Sequence, residues 1–151
     1  MSRSSLERRL MGEILVERGL ITPAQLTRAL ETQQTFAAGK FLGEILIRLG
    51  YVTEIDIVTA LVLQCNLPYI SVSKHEIAPE VIKLIPAEIA RREKLVPLDR
   101  IGNILSVVML NPLDEDTHHQ LEMITGCLIA TFISTHKEIE MALKQCYGES
   151  V

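Results

Sequence analysis

The sequence predicts an α+β fold, in which a helical N-terminal half precedes a small α/β subdomain. One observation is an internal repeat, because residues 10–33 recur at 41–64. Such self-similarity indicates one supersecondary unit used twice. Another is a pair of apolar, β-rich runs around Arg100-Ile101-Gly102-Asn103, which predicts a hairpin. We therefore expect a four-helix tandem repeat of two helix-turn-helix units in residues 1–66, packed on an α/β subdomain in residues 67–151 with a three- to four-stranded sheet.

Each copy of the repeat predicts a helix, a tight turn and a second helix. The first helix ends where Gly19 or Gly50 takes the left-handed conformation that a side chain resists. The second begins at Thr22 or Thr53, whose hydroxyl accepts a backbone N–H that has no partner within the helix. In the first copy, Thr22 and Gln25 form a capping-box pattern.

The second half predicts short, mixed elements. Thr135 and Glu138 form a capping-box pattern that opens the last helix, and Gly126 stops the helix before it. A strand-helix-strand order implies a crossover to a parallel strand. The expected elements are short helices at 79–84 and 86–92, hairpin strands at 95–99 and 104–109, a helix at 113–124, a buried strand at 127–133 and a last helix at 136–147.

The composition limits the classes of function. Of the 151 residues, 48% are hydrophobic, which is enough for a proper core, and the net charge of −4 argues against a nucleic-acid surface. No apolar run reaches the roughly 18 residues that a membrane span needs, so we expect no direct membrane insertion. The polar, basic start lacks the apolar segment of a signal peptide. Three scattered cysteines fit a reducing compartment, so we expect a cytoplasmic protein.

The motifs in the sequence do not support a catalytic function. The Gly39-Lys40 pair, in the connecting segment 34–40, is followed by neither Ser nor Thr and therefore does not form a P-loop. His118 and His119 are adjacent, so on a helix they point about 100° apart and poorly chelate one metal. We expect no catalytic residues, no metal site and no enzyme.

The two copies resemble the tandem motif in the N-terminal domain of type II secretion and type IV pilus assembly ATPases. That motif reads Arg-Leu-Gly, two residues, two aliphatics, then Gly, and then Leu, Leu and Gln at helical spacing. The rest of the chain is similar to the remainder of the same domain in stretches such as LPYISV and GNILSVVMLNPLD. The resemblance covers about residues 8–148, and no Walker motif of the ATPase module occurs in the sequence.

In the subset of that family known to bind a nucleotide, the two motifs together bind one cyclic di-GMP. The resemblance therefore implies cyclic di-GMP as a ligand, and no other cofactor. The positions that carry this implication are Arg9, Leu10, Gly12, Leu15, Gly19, Leu26, Leu30 and Gln33 in the first copy, and Phe41, Leu42, Gly43, Leu46, Gly50, Ile57, Leu61 and Gln64 in the second.

Spacing alone permits two interpretations of the second helix in each copy. Leu26, Leu30 and Gln33 are spaced i, i+4, i+7 and share one helix face. The second copy repeats this spacing with Ile57, Leu61 and Gln64. In a ligand site the aliphatics contact a guanine plane and the amide binds its edge. Otherwise the aliphatics are core and the glutamine is an exposed helix end, which periodicity alone favours.

Two functions therefore stay open. The first is a non-enzymatic cyclic di-GMP-binding sensor or regulatory module of a type II secretion or type IV pilus system. The second is a nucleotide-independent adaptor that docks on a secretion or pilus ATPase or on a membrane platform protein. The chain departs from the motif where Leu10 and Phe41 replace its arginines, with Arg9 and Lys40 one residue earlier. This departure favours the adaptor, and the two Leu-Leu-Gln stripes favour the sensor.

Overall fold

The computed structural model describes residues 5–35 and 41–148, with side chains from residue 11 onward in the first segment. By its internal contacts the chain divides into two compact units, Met1–Asn66 and Leu67–Val151. Eight α-helices and one three-stranded sheet in the described segments confirm the α+β class. None of the described helices combines the length and the apolar character needed to cross a bilayer.

The first unit contains four helices: α1 (Ser5–Glu17), α2 (Pro23–Thr35), α3 (Leu42–Arg48) and α4 (Glu54–Cys65). Within it, α1 contacts α2, α3 and α4, and α2 contacts α3. Helix α2 continues to Thr35, into the segment expected to be a linker, because Gln34 and Thr35 still extend its last turn. The remainder of that segment, 36–40, lies outside the described residues.

Both copies end their first helix in the same way. Gly19 and Gly50 have φ of 73° and 78°, as the sequence predicts. The next N–H in each copy reaches back five residues, from Leu20 to the carbonyl of Leu15 and from Tyr51 to that of Leu46, each at 3.0 Å. These bonds satisfy carbonyls that the helix leaves without partners, and glycine permits the left-handed turn at no steric cost.

The second helix of each copy begins with a reciprocal cap. The Gln25 N–H donates to Thr22 Oγ1 at 3.1 Å and the Thr22 N–H donates to Gln25 Oε1 at 2.9 Å, so the expected capping box is confirmed. Thr53 forms the same pair of bonds with Asp56, at 3.1 and 2.9 Å. The aspartate is one methylene shorter than the usual glutamate, and this made the second box harder to recognise in the sequence.

The second unit is built around a mixed sheet of strand order β1-β2-β3. Strands β1 (Leu95–Ile101) and β2 (Ile104–Met109) are antiparallel across Gly102-Asn103, and this confirms the expected hairpin. Strand β3 (Leu128–Ile133) is parallel to β2, with Ile104 beside Leu128 and Met109 beside Ile133. The two residues that β1 gains beyond Asp99 follow an irregularity in the register between Pro97 and Asp99.

The expectation of a buried strand at 127–133 is wrong in part. Strand β3 begins at Leu128, and Leu128 itself is 57% exposed, because β3 lies at the edge of the sheet. Its outer side is bonded at Ile133, whose N–H donates to the Pro68 carbonyl at 2.9 Å and whose carbonyl accepts from Ile70 at 3.0 Å. A fourth strand is thus reduced to one bridge between Tyr69 and Ile133.

The remaining helices of this unit are α5 (Pro79–Ile82), α6 (Ala87–Glu93), α7 (Glu115–Thr125) and α8 (His136–Tyr147), with a 3₁₀ turn at Val72–Lys74. Helix α7 begins two residues later than expected, because the Asp114 carboxylate accepts from the N–H groups of Asp116 and Thr117 and so caps it. It ends before Gly126, where φ is 69°.

The capping box expected at the start of α8 is only half present. The Glu138 N–H donates to Thr135 Oγ1 at 3.2 Å, as the pattern predicts. The Glu138 carboxylate, however, accepts from Ser71 Oγ at 2.9 Å, from the Ser73 N–H at 3.1 Å and from Ser73 Oγ at 2.7 Å. The Glu138 carboxylate, which would complete the capping box, accepts instead from Ser71 and Ser73. These hydrogen bonds connect α8 to the segment that contains the 3₁₀ turn.

Candidate ligand-binding site

A glycine in each first helix, within α1 in the first copy and at the start of α3 in the second, lies directly under an aliphatic side chain of the second helix. A Cβ on Gly12 of α1 would stand 2.8 and 2.9 Å from the two methyl carbons of Leu26. A Cβ on Gly43 of α3 would stand 3.2 Å from Ile57 Cδ1. The two copies therefore share one packing arrangement, and it gives these glycines a structural reason that holds with or without a ligand.

The two glutamine stripes are not equivalent, although their sequences match. In the first copy Leu26 and Leu30 are half-buried and Gln33 is only 4% exposed. In the second copy Ile57 and Leu61 are 9% and 2% exposed, and Gln64 is exposed. The core interpretation, with buried aliphatics and an exposed amide, describes the second copy alone. The first copy differs, with half-buried aliphatics and a buried amide, and its helix α2 packs against α3.

Several other positions of the predicted site lie inside the core of the first unit. Leu15 and Leu46 are fully buried, and Leu42 is 1% exposed. Phe41 precedes α3 and is 4% exposed, while its N–H donates to Glu44 Oε1 at 3.1 Å. The side chains of Arg9 and Leu10 lie outside the described residues. Gly19 and Gly50 are exposed at the turns, with open space where a Cβ would be.

The electrostatics of the first unit are simple. Burial raises the pKa of the Cys65 thiol at the end of α4, so this thiol is protonated at neutral pH. Arg18, Arg28 and Arg48 are exposed. Within residues 5–35 and 41–148, no three His, Cys, Asp or Glu side chains gather as a metal site would require. The predicted site residues that remain accessible are therefore the half-buried Leu26 and Leu30, the glycine turns and Gln64.

The sequence matches the model of a known protein family. The model of the MshEN domain matches residues 65–151, more than half of the sequence. The chain belongs to the MshEN domain family. The matched region corresponds to the second unit, while the tandem repeat with the candidate site precedes it.

Curated relatives match nearly the whole chain. The type IV pilus assembly ATPase PilB of Myxococcus xanthus is 32% identical over 139 residues, which are 92% of this chain and 24% of that protein. PilB of Thermus thermophilus is 31% identical over 141 residues, 92% of this chain and 16% of that protein. The chain therefore spans about a quarter and a sixth of these two relatives.

Solved structures share the fold. The structure of MshE with cdg aligns with a TM-score of 0.71 at 29% identity and covers 91% of this chain and 98% of that one. The N-terminal domain of XpsE aligns with a TM-score of 0.70 at 21% identity, over 91% and 94% of the two chains. These alignments confirm the resemblance to the N-terminal domains of secretion and pilus ATPases, and the XpsE match concerns the fold alone.

Proposed function

We propose that this chain is a non-enzymatic regulatory module that binds one cyclic di-GMP across the two copies of its repeat, within a type IV pilus or type II secretion system. The observation that carries the proposal is the duplication itself, because the first unit contains the same helix-turn-helix unit twice, with matching glycine turns at Gly19 and Gly50. A ligand with two similar halves matches a protein with two similar half-sites. The 29% identity to MshE, whose structure was determined with cdg, supports cyclic di-GMP as that ligand.

The chemistry of the half-sites suits a purine nucleotide. In the first copy the half-buried Leu26 and Leu30 offer an apolar surface to the plane of a base, and in the second the exposed Gln64 amide offers a donor and an acceptor to its edge. The left-handed turns at Gly19 and Gly50 present backbone without a side chain, so a phosphate can approach closely. None of these contributions requires a catalytic group, and this is why we propose a regulatory rather than an enzymatic role.

Calorimetric titration with cyclic di-GMP tests the proposal, with GTP as the control nucleotide. We expect saturable binding at one ligand per chain. Gln64→Ala should weaken binding roughly two- to tenfold, because a net hydrogen bond contributes about 0.5–1.5 kcal/mol. The matched control is Gln145→Ala, which removes an exposed amide from α8 in the second unit. Absence of heat at millimolar cyclic di-GMP, or two ligands per chain, would contradict the proposed site.

The second candidate is a nucleotide-independent adaptor that docks on a pilus or secretion ATPase or on a membrane platform protein. The observation that favours it is Phe41, which is 4% exposed where the resembling motif has an arginine. A sedimentation experiment with the purified partner ATPase separates the two functions. An adaptor forms the same complex with and without cyclic di-GMP, whereas a sensor forms a complex whose dissociation constant changes with the nucleotide.

A further inference from the structure

We infer that the outer edge of β3 is a self-association site, at which two copies of this chain join their β3 strands antiparallel around Ile129. The product is one sheet of six strands, three from each copy. The inference goes beyond the proposed function, because the edge lies in the second unit and its pairing involves no nucleotide.

The backbone groups of Ile129 and Thr131 point away from the sheet. Neighbouring residues of a strand direct their N–H and C=O groups to opposite sides. The Leu128 N–H faces β2, because it donates at 2.7 Å to the carbonyl that precedes β2, whereas the Ile133 N–H faces outward and donates to Pro68. Ile129 and Thr131 therefore face outward, as Ile133 does. In the part of the chain that the structure describes, their N–H and C=O groups have no hydrogen-bond partner.

The edge is open because the fourth strand stops after one bridge. The bridge forms at Ile133, and the residue that would extend it is Pro68, which has no N–H to donate to the Thr131 carbonyl. Natural sheet edges are usually blocked by charged residues, by proline or by bulges. The segment 127–133 contains no charged residue and no proline, and Leu128 is 57% exposed. An edge of this kind is a template for another strand.

A second copy of β3 satisfies these backbone groups. With Ile129 opposite Ile129 of the other copy, the two residues exchange N–H···O=C hydrogen bonds. In the same register each Thr131 N–H donates to the Cys127 carbonyl of the other strand. Pairing over 127–131 alone leaves the bridge at Ile133 in place, so the monomer fold does not have to change.

The side chains of the two strands are also complementary. In this register Leu128 lies opposite Ala130, so the larger side chain of each copy meets the smaller one of the other. Because the strand carries no charge, its own copy brings no like charges together, and a charged strand from another protein would find no ion pair there. The two-fold arrangement uses the same patch on both copies and closes at a dimer.

Sedimentation velocity of the full chain tests the inference, in reducing buffer because Cys65, Cys127 and Cys146 are free. An interface of one strand pair is small, so we expect a monomer–dimer equilibrium with a dissociation constant of roughly 10 µM to 1 mM. Leu128→Lys places on the edge the charge that natural edges use against pairing, and it should raise the dissociation constant at least about tenfold. The position is exposed, so the lysine has little effect on the monomer.

Ile101→Lys is the matched control. Ile101 is 74% exposed and lies in the same row across the sheet, since it pairs with Ile104, and Ile104 pairs with Leu128. It belongs to β1, at the opposite edge of the sheet. The dissociation constant of this variant should therefore differ from that of the native chain by less than about twofold.

Amide hydrogen exchange reports the pairing residue by residue and needs no variant. As the protein concentration rises, exchange of the Ile129 and Thr131 amides should slow in proportion to the fraction of dimer. The Ala130 amide faces β2 and should exchange at the same rate throughout. If Leu128→Lys does not fold, this comparison in the native chain decides.

A chain that stays monomeric at the highest of these concentrations overturns the inference. An effect of Ile101→Lys as large as that of Leu128→Lys also overturns it, because association then involves the sheet face and not the β3 edge. Slower exchange that spares Ile129, or assemblies that grow beyond the dimer, contradict the two-fold pairing in the same way. None of these outcomes concerns the binding of cyclic di-GMP, so the proposed function is decided by its own titration.

Discussion

Glu138 connects α8 to the segment before it that contains the 3₁₀ turn, and its removal should loosen the second unit. Its carboxylate accepts three hydrogen bonds from Ser71 and Ser73, and Ser71 lies 67 residues away in the chain. Glu138→Ala removes the acceptor entirely. Glu138→Gln keeps the shape and one acceptor oxygen but removes the charge. The two variants together separate the effect of the charge from that of the contact.

The expected loss follows from the exposure of the partners. A hydrogen bond to a charged group contributes about 1.5–3 kcal/mol. Here the serines are half-exposed, so water replaces part of what the carboxylate supplied. We expect Glu138→Ala to lower the free energy of unfolding by about 1.5 kcal/mol and Glu138→Gln by about half as much. Urea unfolding at neutral pH measures both, with Glu122→Ala on the exposed side of α7 as the control.

The dependence on pH checks the charge. The side-chain and backbone hydrogen bonds from Ser73, and then the Ser71 hydroxyl, lower the pKa of Glu138. A lowered carboxyl pKa contributes stability above the ordinary glutamate pKa of about 4.3 and loses it as the pH falls through the lowered value. The difference between the native chain and Glu138→Gln should therefore be full at pH 7 and shrink toward pH 3. A difference that is absent at pH 7, or that persists undiminished at pH 3, would refute this account.

Two further predictions concern the first unit. Gly12→Ala should lower the free energy of unfolding by about 1 kcal/mol, because packing a methyl group against Leu26 costs about 1–3 kcal/mol and the higher helix propensity of alanine offsets about 1 kcal/mol of it. Gly43→Ala has one looser contact, at 3.2 Å, and should change the free energy of unfolding by less than about 0.5 kcal/mol. Equal losses for the two variants in urea unfolding would contradict this difference in packing. Phe41→Arg should lower the stability by about 3 kcal/mol or more, since it places a charge at a position that is 4% exposed, and an unchanged thermal midpoint would show that this position tolerates the arginine of the resembling motif.

Features that depend on neighbouring residues were predictable from the sequence. The Thr22–Gln25 box, the stop at Gly126 and the hairpin around residues 100–103 all follow from residues that are close in sequence, and each is confirmed, although the turn itself is the shorter Gly102-Asn103. The strand Ile104–Met109 was predicted with its observed ends, because its apolar run is bounded by the turn on one side.

Features that depend on distant residues were not predictable in the same way. Nothing near Gln33 distinguishes it from Gln64, yet one is enclosed and the other is exposed, because different helices pack beside them. No residue close to Glu138 in the sequence indicates that its carboxylate accepts hydrogen bonds from Ser71 and Ser73. The placement of β3 at a sheet edge likewise follows from the strand order, which periodicity does not contain. The ligand-site residues came from a resemblance, and they stay a prediction.

The bond between α8 and the 3₁₀ turn also sets an order of events during synthesis. The contacts among the four helices α1 to α4 connect elements that are synthesised before Ser71. The hydrogen bond of Ser71, in contrast, forms only after Glu138 has been synthesised, 67 residues later. At roughly 5–20 residues per second, that delay is several seconds. Closing so long a loop also carries an entropy cost that local helix pairs avoid. The helical repeat is therefore complete while the sheet still lacks its parallel strand. Pro68 and Ile70 meet their partner when Ile133 is made, and Ser71 and Ser73 only when Glu138 of the last helix follows.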